Sequence, residues 1–290
     1  MSTEQKSDAL IRESNSEKSL DIEKNQVESI PNFTKPWWLI IIPMLSLVIG
    51  LTCICYFYLD VDAKPFYNRW VSWGSGIFFI LWYCYIGIER TYYYGIAGYY
   101  EIFWFCNISL LLVGIGLVFE LPSLVCCSVC VVMFPHAAYW IDIISWLICR
   151  KTPCGAATFM FESGWPIHDK ISTLHHFVLI PNVLFLLYEY PYIQYPAYLL
   201  SVVLLVVSQW SCHFLTPLAM LDKNKKYKYL NVCISYELPE ILRGVYPFKW
   251  TVNGPTWLFF LICFFFYAVP INGVCYGLFL GCQYVLNLSS

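Results

Sequence analysis

The sequence predicts an all-α fold, a polytopic bundle of transmembrane helices, and three observations support this prediction. Hydrophobic residues make up 59% of the 290 residues and charged residues only 12%, which is about half of the charged fraction of an average soluble domain. Long apolar segments alternate with short polar segments that hold most of the charges. Lysine and arginine are unequally divided between alternate polar segments, as is typical of multi-pass membrane proteins.

Seven apolar segments of the chain are predicted to cross the membrane as helices. Most of them reach the roughly 20 residues that an apolar helix needs to cross a bilayer. The last segment is long for one span and short for two, and we expect Pro270 to kink a single helix there; a short eighth span is the alternative. The seven segments are residues 37–59, 70–88, 101–119, 121–149, 171–188, 195–216 and 256–288.

The distribution of cations predicts a cytosolic N-terminus. In that orientation 15 of the 17 Lys and Arg residues lie in inner segments, and only Lys64 and Arg69 lie outside. Residues 1–36 are polar and predict a disordered cytosolic tail. Residues 37–288 form the predicted transmembrane helical domain, which contains a basic cytosolic loop at 222–255. Seven spans then place the C-terminus on the opposite side.

The basic loop also suggests a partner. Near an anionic leaflet each lysine contributes roughly 1 kcal/mol of attraction, although inner loops of membrane proteins are commonly basic without binding a specific lipid. The net charge of −2 gives no indication of a nucleic-acid partner. The predicted partners are therefore the lipid bilayer, of a membrane that the sequence leaves unspecified, and anionic lipid at Lys223, Lys225, Lys226 and Lys228.

Polar side chains within four of the predicted spans lie at similar depths. Ionisable residues inside a membrane are costly and usually face the interior of the bundle. At about 1.5 Å of rise per residue, four of them lie within roughly 10 Å of the cytosolic edge: Cys106, Asp142, His175 and His213. Four helices thus bring candidate functional groups to one cytosolic-side layer.

This polar layer predicts a set of functional residues. A thiol nucleophile needs a nearby base, and the base needs an orienting partner, so Cys106, His175 and Asp142 are the predicted catalytic residues. Taken singly, such a histidine more often links helices, and such a cysteine more often packs. The histidines permit a metal site, but none is expected because the Cys and His spacing matches no metal motif, and the cofactor is left unknown. The predicted substrate-binding residues are Asn107, His136, His176 and His213.

Several motifs resemble those of an uncharacterised family of multi-pass membrane proteins that is well represented in bacteria. The resemblance spans roughly residues 100–236 and implies a multi-pass helical architecture. Its motifs are Trp104-Phe-Cys-Asn107, Phe134-Pro-His-Ala-Ala-Tyr-Trp-Ile-Asp142, Phe161-Glu162 with Pro166, Ser172-Thr-Leu-His175, and Cys212-His-Phe-Leu-Thr-Pro217 followed by Asn231.

A fainter likeness points to a reaction. The chain is similar to integral-membrane acyl hydrolases and acyltransferases that use a Cys or Thr with a His inside the helix bundle. This likeness implies Cys106 and His175 as the catalytic pair, and Trp104 stands where a further histidine is expected.

Three functions are compatible with the polar layer. The first is a lipid acyl hydrolase or acyltransferase, because a site near the cytosolic edge reaches lipid ester carbonyls. The second is a proton-coupled small-solute transporter that uses the titratable groups as a relay. The third is a non-catalytic membrane scaffold whose polar layer locks helices together. Sequence alone leaves open whether the protein is an enzyme.

Overall fold

The fold is a helical bundle with one small sheet among the described residues. The computed structural model describes residues 33–63, 66, 68–187, 193, 195–238, 245–251 and 254–288, so most of the predicted tail at 1–36 lies outside it. The helices are α1 (Trp37–Leu59), α2 (Arg69–Tyr94), α3 (Ile96–Glu101), α4 (Phe105–Val118), α5 (Pro122–Cys149), α6 (Ile167–Ser172), α7 (His175–Leu186), α8 (Pro196–Leu215) and α9 (Thr256–Ile262, a π-helical stretch Cys263–Ala268, and Val269–Leu288).

Five of these helices are long and apolar enough to cross a membrane: α1, α2, α5, α8 and α9. They correspond to the first, second, fourth, sixth and last predicted spans. Helix α9 continues through Pro270 without a break. Many large apolar side chains of these helices face outward, including Leu81 and Ile148, which are 62% and 80% exposed. An apolar exterior of this kind suits lipid better than water.

The third and fifth predicted spans are shorter in the structure than the sequence indicated. Helix α4 has 14 residues and α7 has 12, whereas each prediction was a continuous segment of 18 or 19 residues. A short helix precedes each one, and a few non-helical residues separate the two parts. These breaks lie beside the polar residues that the sequence analysis selected.

Helix α5 forms the centre of the bundle. Of its most apolar stretch, 61% is buried inside the protein, compared with 22–44% for the other four long helices. It packs against α4, α7, α8 and α9. Pro122 stands at its first position, which suits a residue without an N–H, and Pro135 lies inside it, where the ring removes a backbone hydrogen bond.

Polar side chains fix where the long helices begin. Asn68 caps α2 by accepting a hydrogen bond from the backbone N–H of Val71 at 3.1 Å. The carboxylate of Asp60 lies at the start of α5, where it accepts hydrogen bonds from the backbone N–H and the hydroxyl of Ser123. Burial raises the pKa of Asp60 to about 6, although the hydrogen bonds from Ser123 oppose that rise.

Helices α2 and α4 approach closely through two glycines. A Cβ atom on Gly76 would lie 2.7 Å from the carbonyl oxygen of Gly114, and one on Gly114 would lie 2.9 Å from the oxygen of Gly76. Small residues at such a crossing let two backbones meet, as is common between membrane helices. The pair therefore sets the position of α4 against α2.

Ion pairs mark the two ends of α4. At one end Glu101, just before α4, lies 3.5 Å from the guanidinium of Arg90 near the end of α2. At the other end Glu120, just after α4, lies 2.9 Å from Arg69 at the start of α2. Although short, α4 therefore runs antiparallel along most of the length of α2.

The predicted basic loop contains the sheet. Strands β1 (Ala219–Leu221) and β2 (Tyr227–Tyr229) pair antiparallel as a hairpin. This hairpin packs at the end of α2, where the backbone N–H of Lys223 donates to the carbonyl oxygen of Tyr94. The small sheet is a departure from the all-α prediction.

Candidate functional site

Two broken helices bring polar residues together. Between α3 and α4 residues 102–104 are not helical, and Cys106 and Asn107 follow in the first turn of α4. Between α6 and α7 residues 173–174 form a turn, and His175 and His176 open α7. Non-helical backbone within a membrane bundle is tolerated where it is buried in protein or lines a cavity, and both breaks lie at the same cavity.

That cavity has a volume of about 370 Å³. Its wall combines a thiol, two histidines and charged groups with large aromatic side chains, a composition common in ligand pockets. The residues that line it are Ile86, Arg90, Glu101, Trp104, Cys106, Asn107, Ala156, Phe159, Trp165, Asp169, Ser172, Thr173, His175 and His176.

A thiol and two imidazoles cluster beside the cavity, whose wall includes Cys106 and His176 but not His136. One ligand atom from each of Cys106, His136 and His176 lies within 4.8 Å of the other two. His136 comes from the buried part of α5 just after Pro135, and its ring centre lies 4.5 Å from that of His176. The Tyr139 ring stacks on the His176 ring, with 4.8 Å between the ring centres. The three groups thus come from three different helices.

Backbone carbonyls orient two of the histidines. The Nδ1 atom of His175 lies 2.8 Å from the carbonyl oxygen of Ser172, and Nδ1 of His176 lies 2.8 Å from that of Thr173. A carbonyl only accepts, so each ring carries its proton on Nδ1 and keeps the lone pair on Nε2. A neutral histidine fixed in this way is a base or a metal ligand.

Three buried nitrogen atoms around the cluster lack a hydrogen-bond partner among the described residues. They are both ring nitrogens of His136 and Nε2 of His175. Buried polar atoms are nearly always paired, and an exception calls for an explanation such as a ligand or a catalytic role. These atoms are therefore the strongest indication that the cluster is functional.

The Cys106, His136 and His176 group also has the composition of a metal site. A thiolate and two imidazoles are favoured ligands of zinc, and their mutual distances require only small side-chain movements. No metal was expected from the sequence, because its Cys and His residues match no motif of closely spaced ligands. Residues 106, 136 and 176 are 30 and 40 positions apart, so only the fold brings them together.

The predicted catalytic histidine, His175, lines the cavity but is not part of the three-residue cluster. His176 takes that place, with its ring centre 4.1 Å from that of His175. A ring nitrogen of His176 lies within 4.8 Å of the Cys106 thiol, so His176 is a further candidate base, and the catalytic role of His175 stays a prediction.

Asp142 lies elsewhere on α5 and binds backbone. Its two carboxylate oxygens accept hydrogen bonds from the N–H groups of Cys154 and Ala157 at 2.7 and 2.9 Å. Both bonds anchor the loop between α5 and α6, and neither involves a histidine. Its proposed orienting role in catalysis therefore has no support from its contacts and stays a prediction.

Two predicted substrate-binding residues have different surroundings. Asn107 lines the cavity, and its amide donates to the backbone carbonyl of Glu101 at 2.8 Å. His213 lies at the end of α8, where Nδ1 is 2.8 Å from the carbonyl oxygen of Ser235 and the ring packs against Tyr236 and Phe260. His213 borders another pocket and does not line the cavity of Cys106.

Sequence reasoning missed a group of charged residues at the mouth of the cavity. Arg90 pairs with Asp169, lies 3.5 Å from Glu101, and donates to the hydroxyl of Ser172 at 2.7 Å. The sequence analysis ended the second span at residue 88, whereas α2 continues to residue 94. The signal in the sequence was the adjacent acid and base, Glu89 and Arg90, at the end of an apolar segment.

The four lysines of the hairpin are not equivalent. Lys228 faces inward, with Nζ 3.0 Å from a carboxylate oxygen of Glu101 and 3.3 Å from the centre of the Tyr94 ring. Burial lowers the pKa of Lys228, although the nearby Glu101 opposes that change. Lys223, Lys225 and Lys226 are exposed, so the predicted binding of anionic lipid now concerns these three residues.

The chain matches no known protein family, no curated protein and no solved structure. Its class therefore follows from the fold, which has five helices long and apolar enough to cross a membrane. That architecture is compatible with a multi-pass helical membrane protein. Within this class, the cavity with its thiol and histidines is the feature from which we derive a function.

Proposed function

We propose that the protein is an integral-membrane acyl hydrolase or acyltransferase with Cys106 as its nucleophile. One observation carries the proposal: the thiol of Cys106 lies within 4.8 Å of nitrogens of His136 and His176 at the wall of a cavity. A nucleophile with a nearby, oriented base is the arrangement that covalent acyl transfer requires.

The proposed reaction has two stages. Nε2 of His176 accepts the thiol proton, and Sγ of Cys106 attacks the carbonyl carbon of an acyl ester. The adduct collapses, and the leaving alkoxide takes that proton from the imidazolium, which leaves a thioester on Cys106. Water or a second alcohol then attacks the thioester, giving its proton to His176. The cysteine leaves as a thiolate and regains the proton from the imidazolium.

The surroundings of Cys106 support the same chemistry. Its position in the first turn of α4 places it at the positive end of a helix dipole, which stabilises negative charge on the carbonyl oxygen of the adduct. The unpaired nitrogens of His136 offer a further hydrogen bond to that oxygen or to the leaving group. Trp104 and Phe159 supply apolar wall for an acyl chain.

The same proposal takes the chain to cross the membrane seven times with its N-terminus in the cytosol. Its support is that α4 and α7, although short, both contact α2. Glu120, just after α4, pairs with Arg69, and the amide of Asn182 on α7 donates to the hydroxyl of Ser75 at 3.1 Å. The cavity then opens on the cytosolic side, where lipid ester carbonyls of the inner leaflet lie.

A labelling rate tests the base. Purified protein in detergent micelles is treated with a long-chain alkyl chloroacetamide, and alkylation at each cysteine is followed by mass spectrometry. We expect Cys106 to react faster than the exposed Cys84. His176→Ala should slow the reaction at Cys106 by at least about tenfold, because the base no longer removes the thiol proton.

The controls lie in the same molecule. The rate at Cys84 should be unchanged by His176→Ala, and His213→Ala, which removes a histidine outside the cavity, should leave the rate at Cys106 unchanged. Equal Cys106 rates in folded wild type and His176→Ala would exclude His176 as the base. A Cys106 that does not react in folded protein would overturn the acyl-transfer proposal and favour the transporter or scaffold.

A further inference from the structure

A second cluster of potential metal ligands lies outside the Cys106 group, between α2 and α6. It consists of Glu89 near the end of α2, and His168 and Asp169 on α6. One ligand atom from each lies within 4.8 Å of the other two. Nε2 of His168 is 3.4 Å from a carboxylate oxygen of Glu89 and 4.0 Å from one of Asp169. The three ligand atoms are thus close enough to one another to bind a single ion.

The ligand atoms of this cluster are buried and lack hydrogen bonds within the described part of the chain. Both carboxylate oxygens of Glu89, Nε2 of His168 and Oδ1 of Asp169 belong to this set, and the Glu89 side chain is only 4% exposed. Arg90 lies 3.4 Å from Glu89 and pairs with Asp169, so it compensates part of this charge. A buried carboxylate without a hydrogen bond is otherwise costly.

The charges around Arg90 do not balance. Three carboxylates, of Glu89, Glu101 and Asp169, face two cations, Arg90 and Lys228. With all three carboxylates ionised and His168 uncharged, this network carries a net charge of −1. A bound cation would complete this balance and would be bound by ligand atoms that lack hydrogen bonds among the described residues.

We propose that Glu89, His168 and Asp169 bind one divalent transition-metal ion such as Zn²⁺ or Mn²⁺. Two carboxylates and an imidazole are common ligands of both ions. The His168 ring stacks on Tyr93 at 3.7 Å, which holds its plane in place. The His168 side chain is 20% exposed, whereas its Nε2 atom is buried against the two carboxylates.

This site would link two elements that border the cavity. Glu89 belongs to α2, whereas His168 and Asp169 belong to α6, which leads directly into the turn before His175 and His176. A metal ion would therefore hold α6 on α2 and fix the start of α7. The site does not depend on the proposed acyl chemistry, because it shares no residue with the Cys106 cluster.

Binding of Mn²⁺ to the full chain in micelles tests the proposal. The free ion is followed by electron paramagnetic resonance, and bound metal is counted after gel filtration by mass spectrometry. We expect one saturable Mn²⁺ per chain, with affinity reduced by at least about tenfold in Glu89→Gln and in His168→Phe. Phenylalanine keeps the stack on Tyr93, so His168→Phe removes the ligand with little change in packing.

Cys106→Ser is the matched control, since it breaks the other candidate metal group and should leave Mn²⁺ binding unchanged. Mn²⁺ also discriminates between the two groups, because a thiolate and imidazoles favour Zn²⁺. If Glu89→Gln does not fold, His168→Phe decides the question alone. The proposal is overturned if the folded wild-type protein binds neither Mn²⁺ nor Zn²⁺ saturably. Binding that is lost in Cys106→Ser but retained in His168→Phe would overturn it equally.

Discussion

At the scale of single residues, Asp142 shows how a costly buried charge is accommodated. Its side chain is fully buried in α5, yet both oxygens accept backbone hydrogen bonds from the loop that follows. Charge-assisted bonds of this kind are among the stronger hydrogen bonds in proteins. The residue therefore stabilises the loop that covers one side of the cavity, where Ala156 and Phe159 form part of the wall.

Asp142→Asn should lower the free energy of unfolding by about 1–3 kcal/mol, because one buried backbone N–H loses its acceptor. Thermal unfolding in detergent measures this loss. Trypsin should also cleave faster after Arg150 and Lys151, which lie at the start of the loop. Asp62→Asn changes an exposed aspartate and serves as the control. A variant of Asp142 as stable as that control would show that the two bonds contribute little.

His136, His175 and His176 differ in whether their ring nitrogens have hydrogen-bond partners. Two of them donate Nδ1–H to carbonyl oxygens at the turn before α7, whereas His136 has no partner among the described residues. Carbonyls at a helix break are available because the regular pattern of hydrogen bonds stops there. The break thus orients His175 and His176, which both line the cavity.

At the scale of elements, the contact between α2 and α4 controls where Cys106 lies. The backbones meet at Gly76 and Gly114, and this contact positions α4, whose first turn carries the thiol. Any side chain at the crossing would push the two helices apart. The glycines are thus a structural requirement of the site, although they lie far from it along each helix.

Gly76→Ala should destabilise the protein by about 1–3 kcal/mol, because its Cβ would clash with the oxygen of Gly114. Gly74→Ala is the matched control on the same helix, since a Cβ there meets no atom within 4 Å. That control should be neutral, or more stable by up to about 1 kcal/mol, because alanine favours helix. Thermal unfolding of both variants measures the difference. Equal unfolding midpoints would mean that α2 and α4 can move apart at Gly76 without a loss of stability.

At the scale of the whole molecule, cations concentrate at one end of the bundle. Arg90 and Lys228 lie at the end of α2 with the hairpin, whereas Arg69 lies at its start. Lys35, just before α1, also lies at this end, because it donates to the backbone oxygen of Phe214 at the end of α8. This arrangement agrees with the charge rule that orients membrane proteins.

Seven crossings with a cytosolic N-terminus predict that the two termini lie on opposite sides of the membrane. In sealed vesicles, protease should remove a tag at the N-terminus only when the cytosolic face is exposed, and a C-terminal tag only when the other face is exposed. A tag inserted after the exposed Lys226 should behave like the N-terminal tag. Two termini on the same side would require an even number of crossings.

The sequence by itself determined the membrane class and much of the helical layout. Long apolar segments must become helices in lipid, because every backbone group has to form a hydrogen bond within its own segment. That constraint is local, so composition and length predicted the five long helices. The same reasoning identified Cys106, His136 and His176 as unusual, since a polar residue among apolar ones is visible without a structure.

Only the tertiary structure decided which of these residues meet. Depth along a helix is readable from sequence, but rotation about its axis and the site of a break are not, because both depend on packing against other helices. The structure therefore joined Cys106 to His136 and His176, turned Asp142 toward a loop, and placed His213 elsewhere. The buried charges at the end of α2 became a cluster for the same reason: contacts between helices, rather than spacing along the chain, brought them together.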